Sequence, residues 1–290
     1  MELRVLKYFL AVAREQNITA AAESLHISQP ALSTQLKNME DDLGKQLLIR
    51  GVKGSRKVIL TEEGMILRKR AEEMLLLMRR TEEEITGSNE TIAGNVFIGT
   101  GETETVRLFA KVAKKLQQKY PDIRYNISSG NAEHVLEYLD KGIIDFGLLF
   151  TEIDAQKYEA IPVPIKDTWG VLMRKDSPMA EKETICPEDL WDKPLIVSHQ
   201  KGDDVYLNQW LQREESELHI VATYNLLFNA SLLVDEGLGY ALCYDKLINT
   251  KGSNLCFRPF SPRLEAHGFI VWKKYQVFSK ATNIFLQYLR

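Results

Sequence analysis

The chain has 290 residues, 44% of them hydrophobic and 27% charged, with a formal net charge of −3. That length favours about two domains with buried cores, and the composition excludes a disordered or fibrous chain. No stretch approaches the roughly 20 apolar residues that span a bilayer, and Met1-Glu2-Leu3-Arg4 opens no basic-then-apolar leader. A cytoplasmic protein without membrane contact is therefore expected. Cys186, Cys243 and Cys256 form no Cys-x-x-Cys pair and no two histidines stand at i, i+4, so neither a disulfide framework nor a metal site is expected, nor any cofactor.

Charge is unevenly divided. Residues 1–70 hold 12 Lys/Arg against 8 Asp/Glu, so the positive balance lies at the front of an otherwise acidic chain. Between Gly44 and Thr61 there is no acid, while Lys45, Arg50, Lys53, Arg56 and Lys57 are all basic. Phosphate contacts need such a stretch, and a solvated loop tolerates one.

Leu3, Leu6, Phe9, Leu10 and Ala13 recur at helical spacing and predict a helix from Glu2 to Arg14. After a break at Gln16-Asn17, Ile18, Ala21, Ala22 and Leu25 line a short second helix that Thr19 is placed to cap. His26-Ile27 makes a turn. Ser28 then caps a third helix, whose first turn accommodates Pro30 and whose buried stripe is Leu32, Leu36, Met39 and Leu43. Burying that stripe turns Gln29, Pro30, Ser33, Thr34 and Lys37 outward, toward either solvent or a major groove. Gln29 suits adenine, the hydroxyls suit base or phosphate, and the Pro30 ring suits a thymine methyl. Leu47 to Arg50 and Val58 to Thr61 flank Gly51-Val52-Lys53-Gly54-Ser55-Arg56-Lys57, predicting a hairpin with a basic tip.

Thr19-Ala20-Ala21-Ala22-Glu23-Ser24-Leu25-His26-Ile27-Ser28-Gln29-Pro30-Ala31-Leu32-Ser33, with Leu43-Gly44, Leu47, Arg50 and Leu60-Thr61-Glu62-Glu63-Gly64, closely resembles the N-terminal signature of LysR-type transcriptional regulators. The resemblance implies a winged helix-turn-helix at residues 1–60 with Gln29, Pro30 and Ser33 on the DNA face. Thr34 stands where many members carry arginine, a difference that touches the choice of operator. The DNA-contacting set expected on these grounds is Thr19, Ser28, Gln29, Pro30, Ser33, Thr34, Lys37, Arg50, Lys53, Arg56 and Lys57.

From Thr61 to about Gly87, Leu67, Ala71, Met74, Met78, Thr81 and Ile85 alternate steps of four and three, a coiled-coil seam within a linker and hinge at residues 61–94. Beyond it, strands at Val96–Thr100, Ile123–Ser128 and Asp145–Phe150 alternate with helices at Thr103–Lys119 and Asn131–Lys141, the βαβαβ order of a parallel sheet. Around Ile161–Asp167 the chain leaves this lobe. Trp169–Arg174, Leu195–Ser198, Ile220–Thr223 and Tyr240–Leu242 predict strands of a second lobe, with helices at Val205–Arg213 and Leu227–Glu236. Gly268–Trp272 and a helix from Phe278 to Leu289 return to the first.

The whole is thus an α/β protein, and the family resemblance implies a periplasmic-binding-protein-like effector domain at residues 95–290, with lobe I at 95–162 and 266–290 and lobe II at 163–265. Ligands bind such sheets at the carboxyl ends of their strands. Effector contacts are expected from Thr100, Gly101, Glu102, Thr103, Ser129, Gly130, Phe150, Ser198 and Asn225. Hydroxyls and helix N-termini suit a small carboxylate, which Glu102 would repel.

The resulting expectation is an effector-modulated transcription regulator that acts on double-stranded promoter DNA as a homodimer or dimer of dimers, and with RNA polymerase if it activates. The alternative is a cytoplasmic solute-binding protein or an enzyme on the two-lobed fold. No nucleophile elbow, dinucleotide loop or carboxylate pair supports an enzyme.

Overall fold

The computed structural model describes residues 1–51, 57–86, 92–198 and 204–290. The chain divides into two compact units, Met1–Thr86 and Gly87–Arg290.

In the first unit, helix α1 (Leu3–Glu15) buries Val5, Leu6, Phe9 and Val12 against α2 (Ile18–Ser24) and α3 (Gln29–Leu43). Ala21 and Ala22 are fully buried, small enough to let neighbouring helices approach closely. The cap of α2 is Asn17, not Thr19: its Oδ1 accepts from the Thr19 and Ala20 amides at 2.8 and 3.2 Å. Asn17 is extended, with φ −154°, so its short amide side chain reaches back over the first turn, while Thr19 already lies within it. In α3, Leu32, Leu36 and Met39 are buried as the spacing predicts, but Leu43 is 43% exposed. It is the last helical residue before Gly44, whose left-handed φ of 63° turns the chain away from the core.

Strands β1 (Leu48–Arg50) and β2 (Val58–Leu60) pair antiparallel, as expected of a wing. The hairpin is tied to the helices at two places. The Val58 amide donates to the Gln16 carbonyl at 2.8 Å, and Glu40 Oε1 accepts from the Leu47 and Leu48 amides at 2.7 and 3.0 Å. Thr61 Oγ1 accepts from the Gly64 amide at 3.0 Å and opens α4 (Glu62–Thr86). Gly64 is required there: a Cβ would lie 2.2 Å from the Leu47 carbonyl oxygen. Leu67 and Ala71 pack into the core of this unit, so the front of the expected coiled-coil seam is covered by its own chain. Met74 and Ile85 remain exposed, Ile85 at 78%.

The second unit is built on one nine-stranded sheet. Its first lobe holds β3 (Gly94–Thr100), α5 (Val106–Lys119), β4 (Ile123–Ser129), α6 (Ala132–Asp140) and β5 (Phe146–Leu149), with β3 parallel to both β4 and β5. Strand β6 (Tyr158–Arg174) then runs unbroken from this lobe into the next, where a separate strand from Trp169 is expected. It exchanges partners midway, pairing with β11 (Glu265–Lys273) up to Thr168 and with β9 (Tyr240–Tyr244) from Trp169. Pro162 and Pro164 fall in the half that pairs with β11 alone, an edge where a missing amide leaves no ladder bond unmade.

The second lobe adds β7 (Leu195–Ser198), α7 (Asp204–Leu211), β8 (Ile220–Tyr224), α8 (Leu227–Asp235) and β10 (Leu255–Pro259), a strand that the sequence pattern does not reveal. Helix α8 ends at Gly237, where φ is 83°, as the glycines there predict. Strand β11 and α9 (Lys280–Leu289) return to the first lobe, where Phe109, Phe146 and Phe285 cluster with ring centroids 6.0 to 6.1 Å apart. Trp210 stacks on Phe260 at 3.8 Å in the core of the second.

Candidate nucleic-acid interface and effector cleft

The outward edge of α3 carries Gln29, Pro30, Thr34 and Lys37, all exposed, with Ser33 half-buried beside them. Their polar groups are held along the helix. Gln29 Nε2 donates to Ser33 Oγ at 2.8 Å, and Thr34 Oγ1 donates to the Pro30 carbonyl at 2.9 Å. The Gln29 oxygen and its second amide hydrogen are left for a base edge. Ser28 caps the helix, its Oγ accepting from the Ala31 amide at 3.4 Å, which leaves the hydroxyl hydrogen to donate elsewhere. Thr19 is exposed at the start of α2.

Arg50 is exposed on the wing, yet its Nη2 lies 3.2 Å from Glu40 Oε2, the carboxylate whose other oxygen holds the Leu47 and Leu48 amides. That pairing fixes the wing to the end of α3, so Arg50 serves the fold as well as any phosphate. Lys57 is exposed, and Gly51 donates to its carbonyl at 3.1 Å. Lys53 and Arg56 lie outside the described residues. At the foot of α4, Glu63 is held below its ordinary pKa by its own backbone amide and by Lys45, 3.3 Å away.

In the second unit the expected effector groups are largely engaged with the protein. Thr100 is buried at the end of β3; its Oγ1 donates to the Gly101 carbonyl at 2.9 Å, and its own carbonyl accepts from Gly130 at 3.0 Å. Ser129 and Asn225 are exposed, and Ser198 is half-buried at the end of β7. Glu102 reaches from the first lobe to the second, its Oε2 accepting from the Leu227 amide that begins α8. Leu226, the cap residue, supplies no side-chain bond, so Glu102 caps this helix from the opposite lobe. The carboxylate expected to repel an anion is instead at a helix N-terminus that favours negative charge.

Thr103 is likewise structural. Its Oγ1 donates to Asp167 Oδ2 on β6 and accepts from the Thr105 amide at 2.9 Å, while Thr105 Oγ1 adds a 3.4 Å bond to the same carboxylate. These bonds hold residues 103–105 out of the α-helix, which starts at Val106 and not at Thr103. Asp167 is only 3% exposed; burial raises its pKa, and the two threonine bonds oppose that rise. It is a functional candidate that no local sequence pattern marks.

A cavity of about 720 Å³ opens beside this region, lined by Phe150, Tyr158, Trp169, Tyr206 and Phe269 among others. Of the nine expected effector residues, Phe150 alone lines it. Tyr244 backs the wall, its ring 5.7 Å from Phe150 and 4.5 Å from Trp169. The five lining aromatics share no spacing in the sequence, so only the fold brings them together. Among the described residues no group of His, Cys, Asp and Glu could hold a metal ion, and no helix is long and apolar enough to cross a membrane.

A winged helix-turn-helix followed by a two-lobed α/β unit with a cleft defines a class of ligand-responsive DNA-binding proteins. Two family models match the chain: the LysR substrate binding domain over residues 89–290, and the bacterial regulatory helix-turn-helix protein, lysR family, over residues 3–65. The HTH-type transcriptional regulator BsdA of Bacillus subtilis is 36% identical over 249 residues, 83% of each chain. The uncharacterized HTH-type transcriptional regulator YvbU of the same organism is 26% identical over 242 residues, 83% of this chain and 81% of its own. Full-length CbnR, crystallised with its target DNA, has the same fold, with a TM-score of 0.79 at 20% identity over 100% of this chain and 99% of that one. The chain belongs to the LysR family of DNA-binding transcription regulators, and its relatives are regulators, not enzymes.

Proposed function

We propose that this regulator acts in the cytoplasm, reading an inverted-repeat operator with α3 while the wing lies along the DNA backbone. Gln29 and the Pro30 ring select bases, Ser33 and Thr34 reach base or phosphate, and Thr19, Ser28, Lys37 and the basic groups of the wing, Arg50, Lys53, Arg56 and Lys57, anchor phosphates. Met74 and Ile85 on α4 are the surface through which two copies dimerise, and dimers pair on DNA. An effector held between the lobes alters their closure and so the spacing of the DNA heads, which allows RNA polymerase to be recruited if the protein activates.

The exposed polar edge of α3, set over a fully buried Leu32 and Leu36, is the observation that carries this reading. Its test is a mobility shift of the full chain on fragments upstream of its own and adjacent genes across a salt series. Affinity is expected to fall steeply with salt, because each neutralised phosphate releases counterions. A flat response, or no preference over unrelated DNA, would overturn it.

A further inference from the structure

The cavity beside Phe150 has a chemistry of its own. Phe150, Trp169, Tyr206 and Phe269 give it four aromatic walls drawn from both lobes, and Tyr206 is 53% exposed at its mouth. Two carboxylates also line it, and they differ. Glu265 is engaged by Lys166 at 2.9 Å and Arg263 at 3.4 Å. Glu152, exposed at the rim, makes no ion pair among the described residues.

Aromatic faces carry negative quadrupole charge and attract cations, and a carboxylate beside them adds to that attraction. A volume of about 720 Å³ accommodates a small organic molecule with room for its ring and chain.

We propose that this cavity binds an amine-bearing aromatic ligand, its ammonium group directed to Glu152 and its ring enclosed by Phe150, Trp169, Tyr206 and Phe269. This rests on the reading of the second unit as the effector domain and replaces the carboxylate expected from sequence with a cation.

The test is calorimetric titration of the full chain with three probes that share one ring: tryptamine, tryptophol and indole-3-acetate. Tryptamine is expected to bind about tenfold more tightly than tryptophol, with indole-3-acetate weakest. Glu152→Gln is expected to bring tryptamine down to the level of tryptophol without altering tryptophol itself. Tyr206→Ala is expected to weaken tryptamine and tryptophol alike. Indole-3-acetate binding as tightly as tryptamine, an amine preference that survives E152Q, or no binding by any probe would each overturn the proposal. The same preparation is tested on operator DNA, so a failure of DNA binding is read separately from a failure of amine binding.

Discussion

On α3 the polar side chains bond to residues one helical turn away, Gln29 to Ser33 and Thr34 to the Pro30 carbonyl. In the effector unit the comparable groups bond across the fold, Glu102 to the first amide of α8 and Thr103 to Asp167 on β6. The first arrangement leaves a rigid surface whose side chains can exchange a local bond for a base contact without disturbing the backbone. The second couples each polar group to a neighbouring element, so a change at one place is felt at another. A DNA reader gains from the former, and a sensor from the latter.

If the α3 surface depends on a rigid support, Leu36→Ala should damage it most. Leu36 is fully buried, and its truncation is expected to destabilise the first unit by about 2–5 kcal/mol, read as an earlier urea transition. Operator affinity should fall with it. Gln29→Ala should leave that transition in place and remove about 1–3 kcal/mol of discrimination at one base pair, measured by competition with point-substituted operators. Lys37→Ala is the contrast: it should weaken all sequences alike and lower the salt slope by about one. Equal behaviour of Q29A and K37A would show that α3 grips the backbone without reading bases.

The cross-lobe bonds are expected to give smaller effects. Glu102→Ala should cost the second unit about 1 kcal/mol, the usual value of a lost helix cap, and Glu102→Gln, which keeps an acceptor oxygen, should cost less. Asp167 gives the last contrast. Its folded pKa is raised above the ordinary 3.8, so the folded protein binds this proton more tightly than the unfolded chain does. The stability from the protonated form is fully present below the unfolded value and lost as pH rises through the folded one. Asp167→Asn should remove that decline, leaving the urea midpoint of the second unit flatter between pH 3.8 and neutrality; an unchanged slope would place the proton elsewhere.

The same contrast explains what could be read from residue order. The α3 edge was legible because Leu32, Leu36 and Met39 recur at one period and everything between them must face outward. Thr19 and Asn17 are both residue types that cap well and stand two apart, so residue order alone does not separate them, and the extended backbone of Asn17 decides the cap. Ala71 satisfies a coiled-coil seam and the core of its own unit equally, so spacing cannot say which helix covers it. The cavity was illegible apart from Phe150. Trp169, Tyr206 and Phe269 come from β6, α7 and β11, and only the pairing of β6 with β11 and β9 brings those elements together. In the sequence Asp167 marks only the end of the crossover between lobes, because the threonines that meet it, Thr103 and Thr105, lie far back in the chain.

The path of β6 and β11 also sets an order of assembly. The first lobe needs β11 beside β5, and Phe285 of α9 among Phe109 and Phe146, yet both segments follow the whole of the second lobe. On the ribosome, the half-sheet begun at Gly94 therefore waits with an open edge while the inserted lobe emerges and condenses. Only when the last helix clears the exit tunnel does the older half acquire its missing wall, which makes the carboxyl-terminal stretch the step that commits the sensor to its native shape.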